Sequence, residues 1–335
     1  MHAVDGGLLE DALSEVLMSL PDVTGRSVAI RANFMLAYDR RDPSNYVSPQ
    51  LVEALVAHLQ ASGASGVSVL DAANVYDRYF DGRSVEEVAS YIGLDPEGFH
   101  VTDCTTDLVP LSFERGFAAT MASRQWVEAD IRIVVAKLAG DPAEVIHGPL
   151  ATIAGLTGRV ENEQFYTHRL VDHRTAALML LDEAPAHYTV VDAWGAVADG
   201  PLGVMGCDKP NVQQRLYGGA NLLATEATVI SDVGIHPSNS EILRRADQWF
   251  GTRHQDQFQP SDLGPMAGFR APHSTWWFRL VNATAVPVYA NLSGDGQLFV
   301  PQLDEQAFPP SDNPGIFVRT VRKAAQRLFG LRPPL

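Results

Sequence analysis

Cysteine is nearly absent from this chain. Its 335 residues hold two, Cys104 and Cys207, far apart and in no Cys-x-x-Cys pair. That excludes a disulfide framework and a thiolate cluster, so no iron-sulfur centre is expected and a reducing cytoplasm fits. Long apolar runs are missing too: nowhere do about 18 apolar residues stand together, so no membrane-spanning helix is expected. Basic charge is scarce, with 25 Lys and Arg against 40 Asp and Glu for a net charge of −15. No basic run stands out before Arg319-Thr320-Val321-Arg322-Lys323, which argues against phosphate-dominated nucleic-acid binding. The sequence also lacks a Gly-x-Ser-x-Gly elbow, a Walker loop and a His-Glu-x-x-His pair. Gly200-Pro201-Leu202-Gly203 lacks the third glycine of a dinucleotide fingerprint, so no nicotinamide cofactor is expected.

What is present is an alternation of strands and helices. With 46% hydrophobic residues the chain can build one large domain or two moderate ones, each with a buried core. Arg26 to Asn33 reads as a strand, and Ser48-Pro49 as an N-cap followed by proline at the first helical position. Leu51, Val52, Leu55, Val56 and Leu59 share one helical face, and Gly63 and Gly66 precede a second strand, Val67 to Leu70, ending at Asp71. This is a β-α-β unit with parallel strands. Ser84-x-x-Glu87 is a capping box opening a helix, a short strand follows near Phe99 to Val101, and Phe113 to Ser123 reads as a further helix. Ile131 to Ala136, apolar except for Arg132, reads as a strand buried on both faces and followed by Lys137. Helices near Leu150 to Leu156 and Asp172 to Leu181, the strand Tyr188 to Val191, and a helix capped by Ser238-x-x-Glu241 and closed by Gly251 continue the pattern.

The expected fold is therefore α/β: a layered sandwich of mostly parallel sheet with helices on both faces, plus a less regular C-terminal extension. Four segments follow. Residues 1–24 form an N-terminal helix, too acidic for a signal peptide. A first α/β half spans 25–148, and a second spans 149–251 and holds the Asp192 to Gly203 loop. The extension, 252–335, contains an aperiodic stretch, Thr252 to Ser274, that is either a surface wrap or a lid, then short strands near Val286 to Leu292. It ends in a basic amphipathic helix, Ile316 to Phe329, whose Val318, Val321, Ala324, Ala325 and Leu328 are expected to dock on the domain rather than on a membrane.

Candidate chemistry gathers at strand ends, where open parallel sheets border a ligand crevice. Val190 to Gly206 reads VVDAWGAVADGPLGVMG, a strand feeding Asp192 into a glycine-rich turn. Asp192 there is either a base or metal ligand, or an Asx-type turn former. Lys137, closing a buried strand, is an acid/base group or anion anchor, or snorkels to solvent. Asn33 and Asp71 end the first two strands and either position a substrate or cap their loops. His147, His168, His173, His187 and His236 fall within about 90 residues. His168 and Asp172, four apart, share a helical face and suit a divalent metal, or an imidazole base oriented by a carboxylate. His168 and His173, five apart, stand about 140° around a helix and cannot chelate together. His236, ahead of a capped helix, is placed to meet an anion, and Gly200 and Arg270 are expected around the substrate, with Arg270, His273, Trp276 and Trp277 suiting a lid over a carboxylate.

Several ordered landmarks together resemble the domain-of-unknown-function family 362. They are the strand ending in Asn33, the Ser-Pro helix start, Asp71-Ala72-Ala73, the strand at Ala129 to Leu138, and the Asp192 to Gly203 turn. The resemblance spans about Arg26 to Val233 and implies an α/β fold distantly similar to the catalytic half of nickel-dependent lactate racemase, an analogy of fold only. The family has no common reaction. This chain carries Ala139 and Asp141 where the family places a second Lys and a His, Ala154 and Gly155 where it places Lys-Asn, and Glu226 and Ser231 at a late aspartate pair. If those lysines anchor a cofactor or phosphate in relatives, that role is absent here.

The expectation is an enzyme of lyase, isomerase or cyclase type that moves a proton on a small polar or carboxylated metabolite, with a biosynthetic pathway as its setting and a divalent metal as the one candidate cofactor. Lys137, His168 and Asp192 are its candidate catalytic residues, and Asn33, Asp71, His147, Gly200, His236 and Arg270 its candidate substrate contacts. The alternative is a noncatalytic protein that binds a small molecule or partner in the same cleft. Self-association is left open.

Overall fold

The computed structural model describes residues 1–73, 77–116, 119–142, 144–156, 173–207, 209–252, 260–272, 275–281, 283–284 and 303–311, with positions 316, 320 and 324. In chain order its elements begin with β1 (His2–Asp5), α1 (Leu9–Val16), β2 (Ser27–Ala32), α2 (Pro49–Ala61), β3 (Gly66–Asp71), α3 (Val85–Ile92) and β4 (His100–Asp103). Next come β5 (Leu108–Ser112), β6 (Ala119–Ser123), α4 (Arg124–Glu128), β7 (Ile131–Lys137), β8 (Ala139–Asp141), β9 (Val145–His147) and α5 (Pro149–Ile153). After these stand α6 (His173–Glu183), β10 (Tyr188–Val197), β11 (Asn211–Gly219), α7 (Leu222–Asp232) and α8 (Glu241–Phe250).

Seven strands make one sheet in the order β1-β11-β10-β7-β2-β3-β4. The five from β10 to β4 are parallel, and β11 runs antiparallel to both β10 and β1. Alternating side chains divide the core. Ile30, Val69, Ile133 and Val190 face Val16, Leu51, Leu55 and Val88 of α1 to α3. Ala29, Leu70, Val134 and Val191 face Leu150, Leu178, Val229 and Leu243 of α5 to α8. Helices thus cover both faces, as period-2 strands buried on both sides require. After β2 the chain steps outward to β3 and β4, then β7 returns on the other side of β2. The strand order reverses between β2 and β7, and the crevice of such a sheet lies at the carboxyl ends of those strands.

Local chemistry sets the element ends. Ser84 and Glu87 make both bonds of the capping box at α3, and Gly93 closes that helix in the left-handed region. Pro49 stands at the start of α2 behind Ser48, but the Ser48 hydroxyl meets Gln50 and makes no capping bond.

Several expectations are corrected. Phe113 to Ser123 is not a helix: Leu108–Ser112 and Ala119–Ser123 pair antiparallel as a hairpin, and the cross-strand ladder overrides the local pattern. The cap of α8 is Ser240, which accepts the Leu243 N–H, while Ser238 lies in a preceding single turn. Residues 1–24 are not helix alone, because β1 adds an edge to the sheet along β11. Asp192 does not leave its strand: β10 continues to Val197, paired with β11 beyond the point where β7 stops.

From the extension, residues 260–272 lie fastened along β11 and α7. Arg215 donates to Gly264 O (2.6 Å), Gln213 to Ala267 O (2.9 Å), and the Met266 N–H to Asp232 O (2.6 Å). Val286 to Leu292 and most of Ile316 to Phe329 fall outside the described residues. Ile316, Thr320 and Ala324 are helical and exposed, so Ala324 is not docked as expected. Among the described residues no helix is long and apolar enough to cross a membrane.

Candidate functional site

The ends of β2 and β7 and the middle of β10 bring Asn33, Lys137 and Asp192 together. In-register pairing sets Asp192 directly beside Lys137, so their side chains share a face of the sheet. Lys137 Nζ, 2% exposed, donates to Asp192 Oδ1 (3.2 Å) and Trp194 O (3.1 Å). Asp192, fully buried, also accepts the Trp194 N–H on Oδ1 (2.8 Å) and the Ser48 N–H on Oδ2 (2.9 Å). The N-terminus of α2 therefore presents its first amide to this carboxylate, a favourable arrangement for negative charge. Taking two charges out of water costs several kcal/mol per ion, and only such saturation makes the pair tolerable.

Asn33 crosses from β2 to β7: its Oδ1 accepts the Lys137 N–H (2.6 Å). The other end of the amide, Nδ2, is buried with no hydrogen-bond partner among the described residues. Asp71 joins the same neighbourhood in a different capacity. Its Oδ2 accepts the N–H groups of Phe34 (2.5 Å) and Met35 (2.7 Å), and its Oδ1 accepts Ala72 N–H (2.7 Å) and the buried Arg31 guanidinium. With both oxygens saturated, Asp71 fixes the turn that carries Asn33.

Arg270 and Gly200 meet elsewhere. Arg270 grips Asp199 through its backbone N–H (3.0 Å), Nε (3.1 Å) and Nη2 (2.6 Å), and its carbonyl accepts the Gly200 N–H (2.7 Å). The glycine turn packs against the β8–β9 hairpin. At Gly203, with φ +51°, a Cβ would stand 1.8 Å from Gly140 O, so only glycine permits this approach. His147 lies on that hairpin, with Nδ1 3.9 Å from Asp141 Oδ2. His236 Nδ1 accepts the Ser238 N–H (3.2 Å) and ties the turn ahead of α8. His168 and Asp172 lie outside the described residues. Among the described residues, no group of three or more His, Cys, Asp and Glu is placed to hold a metal.

Sequence reasoning missed Ser48 and Trp194 as partners of Asp192, and Arg31 as the partner of Asp71. Trp194 stands two residues beyond Asp192, a local signal, whereas Arg31 is an isolated charge in an apolar strand, which calls for a buried partner. Burial pushes both thiols up, to about 12 at Cys104 and about 12 at Cys207. Neither is therefore a nucleophile at neutral pH.

The profile of the family described as domain of unknown function (DUF362) matches residues 28–231, more than half of the chain. A search of curated proteins finds no match. Among solved structures, the chain is similar to the lactate racemase apoprotein from Thermoanaerobacterium thermosaccharolyticum, at 14% identity and a TM-score of 0.44, over 64% of this chain and 53% of that one. It is similar also to a protein from Thermotoga maritima, at 12% identity and a TM-score of 0.40, over 63% and 56%. The chain thus spans little more than half the length of either. Across the central sheet, with Asn33, Asp71, Lys137 and Asp192 inside the matched residues, the chain belongs to the DUF362 family.

Proposed function

We propose that this chain is a cytoplasmic enzyme that moves a proton on a small polar or carboxylated metabolite, as a lyase, isomerase or cyclase does. Lys137 exchanges the proton and Asp192 holds it in place. The observation that carries this reading is the buried Lys137–Asp192 pair at the reversal of strand order. Asp192 and Trp194 O fix two of the three ammonium donors, leaving the third without an acceptor among the described residues. A lysine held this way, out of water and at the reversal of strand order, suits general acid/base work, because each proton it moves is felt in a low dielectric.

A noncatalytic binder is the second reading. It is favoured by Asp192 and Trp194 O, which already engage two donors of Lys137 and so compete with a substrate for them.

Deuterium exchange separates the two. The protein is incubated in heavy water with a panel of small carboxylates bearing an acidic C–H, and proton loss is followed by NMR, with and without a chelator to test the metal expected at His168 and Asp172. Catalysed exchange on one member, lost in both Lys137→Met and Lys137→Arg, is the expected result. Arginine keeps the charge but does not give up its proton. No exchange by the wild type, or exchange unchanged in folded Lys137 variants, overturns the proposal and leaves the binder.

A further inference from the structure

Four polar side chains meet at this part of the sheet, Asn33, Asp71, Lys137 and Asp192, and their hydrogen bonds leave one atom without a partner. Both oxygens of Asp71 are taken, by Arg31 and by the N–H groups of Phe34, Met35 and Ala72. Both oxygens of Asp192 are taken, by Lys137, Trp194 N–H and Ser48 N–H. Among the side chains of Asn33, Asp71, Lys137 and Asp192, the one polar atom with no partner is a donor, the Asn33 Nδ2 amide, in a residue 5% exposed, and Lys137 keeps one further N–H. A buried donor left unpaired costs about 1–3 kcal/mol, and this one sits where β2 and β7 end, beside the reversal of strand order. The Asn33 amide cannot turn over to relieve it, because Oδ1 is needed as the acceptor of the Lys137 N–H.

Charge narrows the ligand further. Arg31 and Lys137 balance Asp71 and Asp192, so the site is formally neutral before a ligand enters. A monoanion brings one uncompensated charge to buried surroundings. A phosphate brings up to two, and the two resident carboxylates repel it.

We propose that Asn33 Nδ2 is the docking point for the carboxylate of a monoanionic ligand, held at the ends of β2 and β7 beside Lys137. The inference rests on the proton-transfer reading of this site and names its substrate class. The amide presents two N–H groups to a carboxylate that supplies only acceptors, while its own oxygen stays on the Lys137 backbone. Asn33 is a binding residue in this scheme, and Asp71, which fixes the turn after it, is a positioning residue.

The test is a titration of protein carrying 15N-asparagine, followed at the Asn33 side-chain amide, which is assigned by its loss in Asn33→Asp. Acetate and inorganic phosphate serve as probes at matched ionic strength. Acetate is expected to shift the Asn33 pair saturably, and phosphate to bind at least about tenfold more weakly. Asn33→Asp keeps an acceptor for the Lys137 N–H but replaces the donors with an anion, and is expected to weaken acetate at least about tenfold. An Asn33 pair unmoved by acetate, or moved equally by phosphate, overturns the proposal. Should Asn33→Asp not fold, Asn33→Ala supplies the assignment and the wild-type shifts alone decide. Acetate binding without deuterium exchange overturns the enzyme and keeps the carboxylate site; exchange with an unmoved Asn33 does the reverse.

Discussion

Asp71 and Arg83 hold the same turn from opposite ends of its peptide groups. Asp71 accepts the N–H groups of Phe34 and Met35, and Arg83 donates to the carbonyls of Met35 and, at 2.7 Å, Ala37. An anion takes the donors and a cation takes the acceptors, so the segment that follows Asn33 has little freedom to shift. Arg83 is itself enclosed. Its guanidinium pairs with Asp77 (3.0 Å) and lies between the rings of Tyr38 and Phe308, 4.5 and 4.7 Å from their centroids. Through Phe308, the stretch 303–311 braces the site.

Replacing Arg83 by Met keeps an apolar stem but removes the guanidinium that pairs with buried Asp77. Breaking a buried pair in this way costs about 3–5 kcal/mol. Arg83→Met is expected to lose stability on that scale in urea melts, and limited proteolysis is expected to cut first near Phe308, because the turn and the segment over it are released together. A loss under about 1 kcal/mol, the range of a surface pair, with no new cleavage there, would show that Arg83 is not the brace.

Glu226 makes the stability depend on pH. Burial on α7 and the neighbouring Glu144 push its carboxyl up to about 8, although it accepts the Leu150 N–H (3.1 Å) at the start of α5. The folded value lies above the unfolded one of 4.5, so the sign is fixed. Below 4.5 both states hold the proton and the full contribution is present. Between 4.5 and about 8 the unfolded chain releases a proton that the folded chain keeps, and stability falls as pH rises, levelling off above the folded value. Glu226→Gln keeps an acceptor for Leu150 N–H and removes the proton. The stability of the variant relative to wild type is expected to climb by a few kcal/mol across this window, rising at most about 1.4 kcal/mol for each step of one in pH. A difference that stays flat from pH 5 to 8 would refute it.

The sheet was legible because its strands are largely apolar, with single polar residues inside them, and its helices begin at cap and proline signals. Leu51, Leu55 and Leu59 of α2 and the Ser84–Glu87 box sit where their spacing placed them. The hairpin of β5 and β6 was not legible, because Ala119 to Ser123 takes its conformation from a partner strand. Strand order is non-local as well. No residue announces that β7 returns beside β2, yet that return joins Asn33 to Lys137. Lys137 and Asp192 could be picked as strand-end groups, whereas their pairing follows from a register between strands 55 residues apart. Arg31, a lone charge within an apolar strand, signals a buried partner without naming it, whereas Arg83, in a loop, reads as a surface residue until Asp77 is known.

The Lys137–Asp192 pair offers a test in which two lesions do less harm than one. Lys137→Met leaves Asp192 as a carboxylate fully buried, with two backbone N–H groups but no cation. Removing one partner of a buried pair typically costs about 3–5 kcal/mol, whereas replacing both by neutral groups of similar size is often close to neutral. Asp192→Asn in the Lys137→Met background removes the stranded charge and keeps a carbonyl oxygen for the Trp194 or Ser48 N–H. The double variant is therefore expected to be more stable than Lys137→Met alone by at least about 1 kcal/mol, well outside the additivity of independent sites. Chemical denaturation of the wild type, both single variants and the double variant gives the coupling directly. If the two losses simply add, Lys137 and Asp192 are not energetically coupled, and the charge balance on which the carboxylate site depends fails with it.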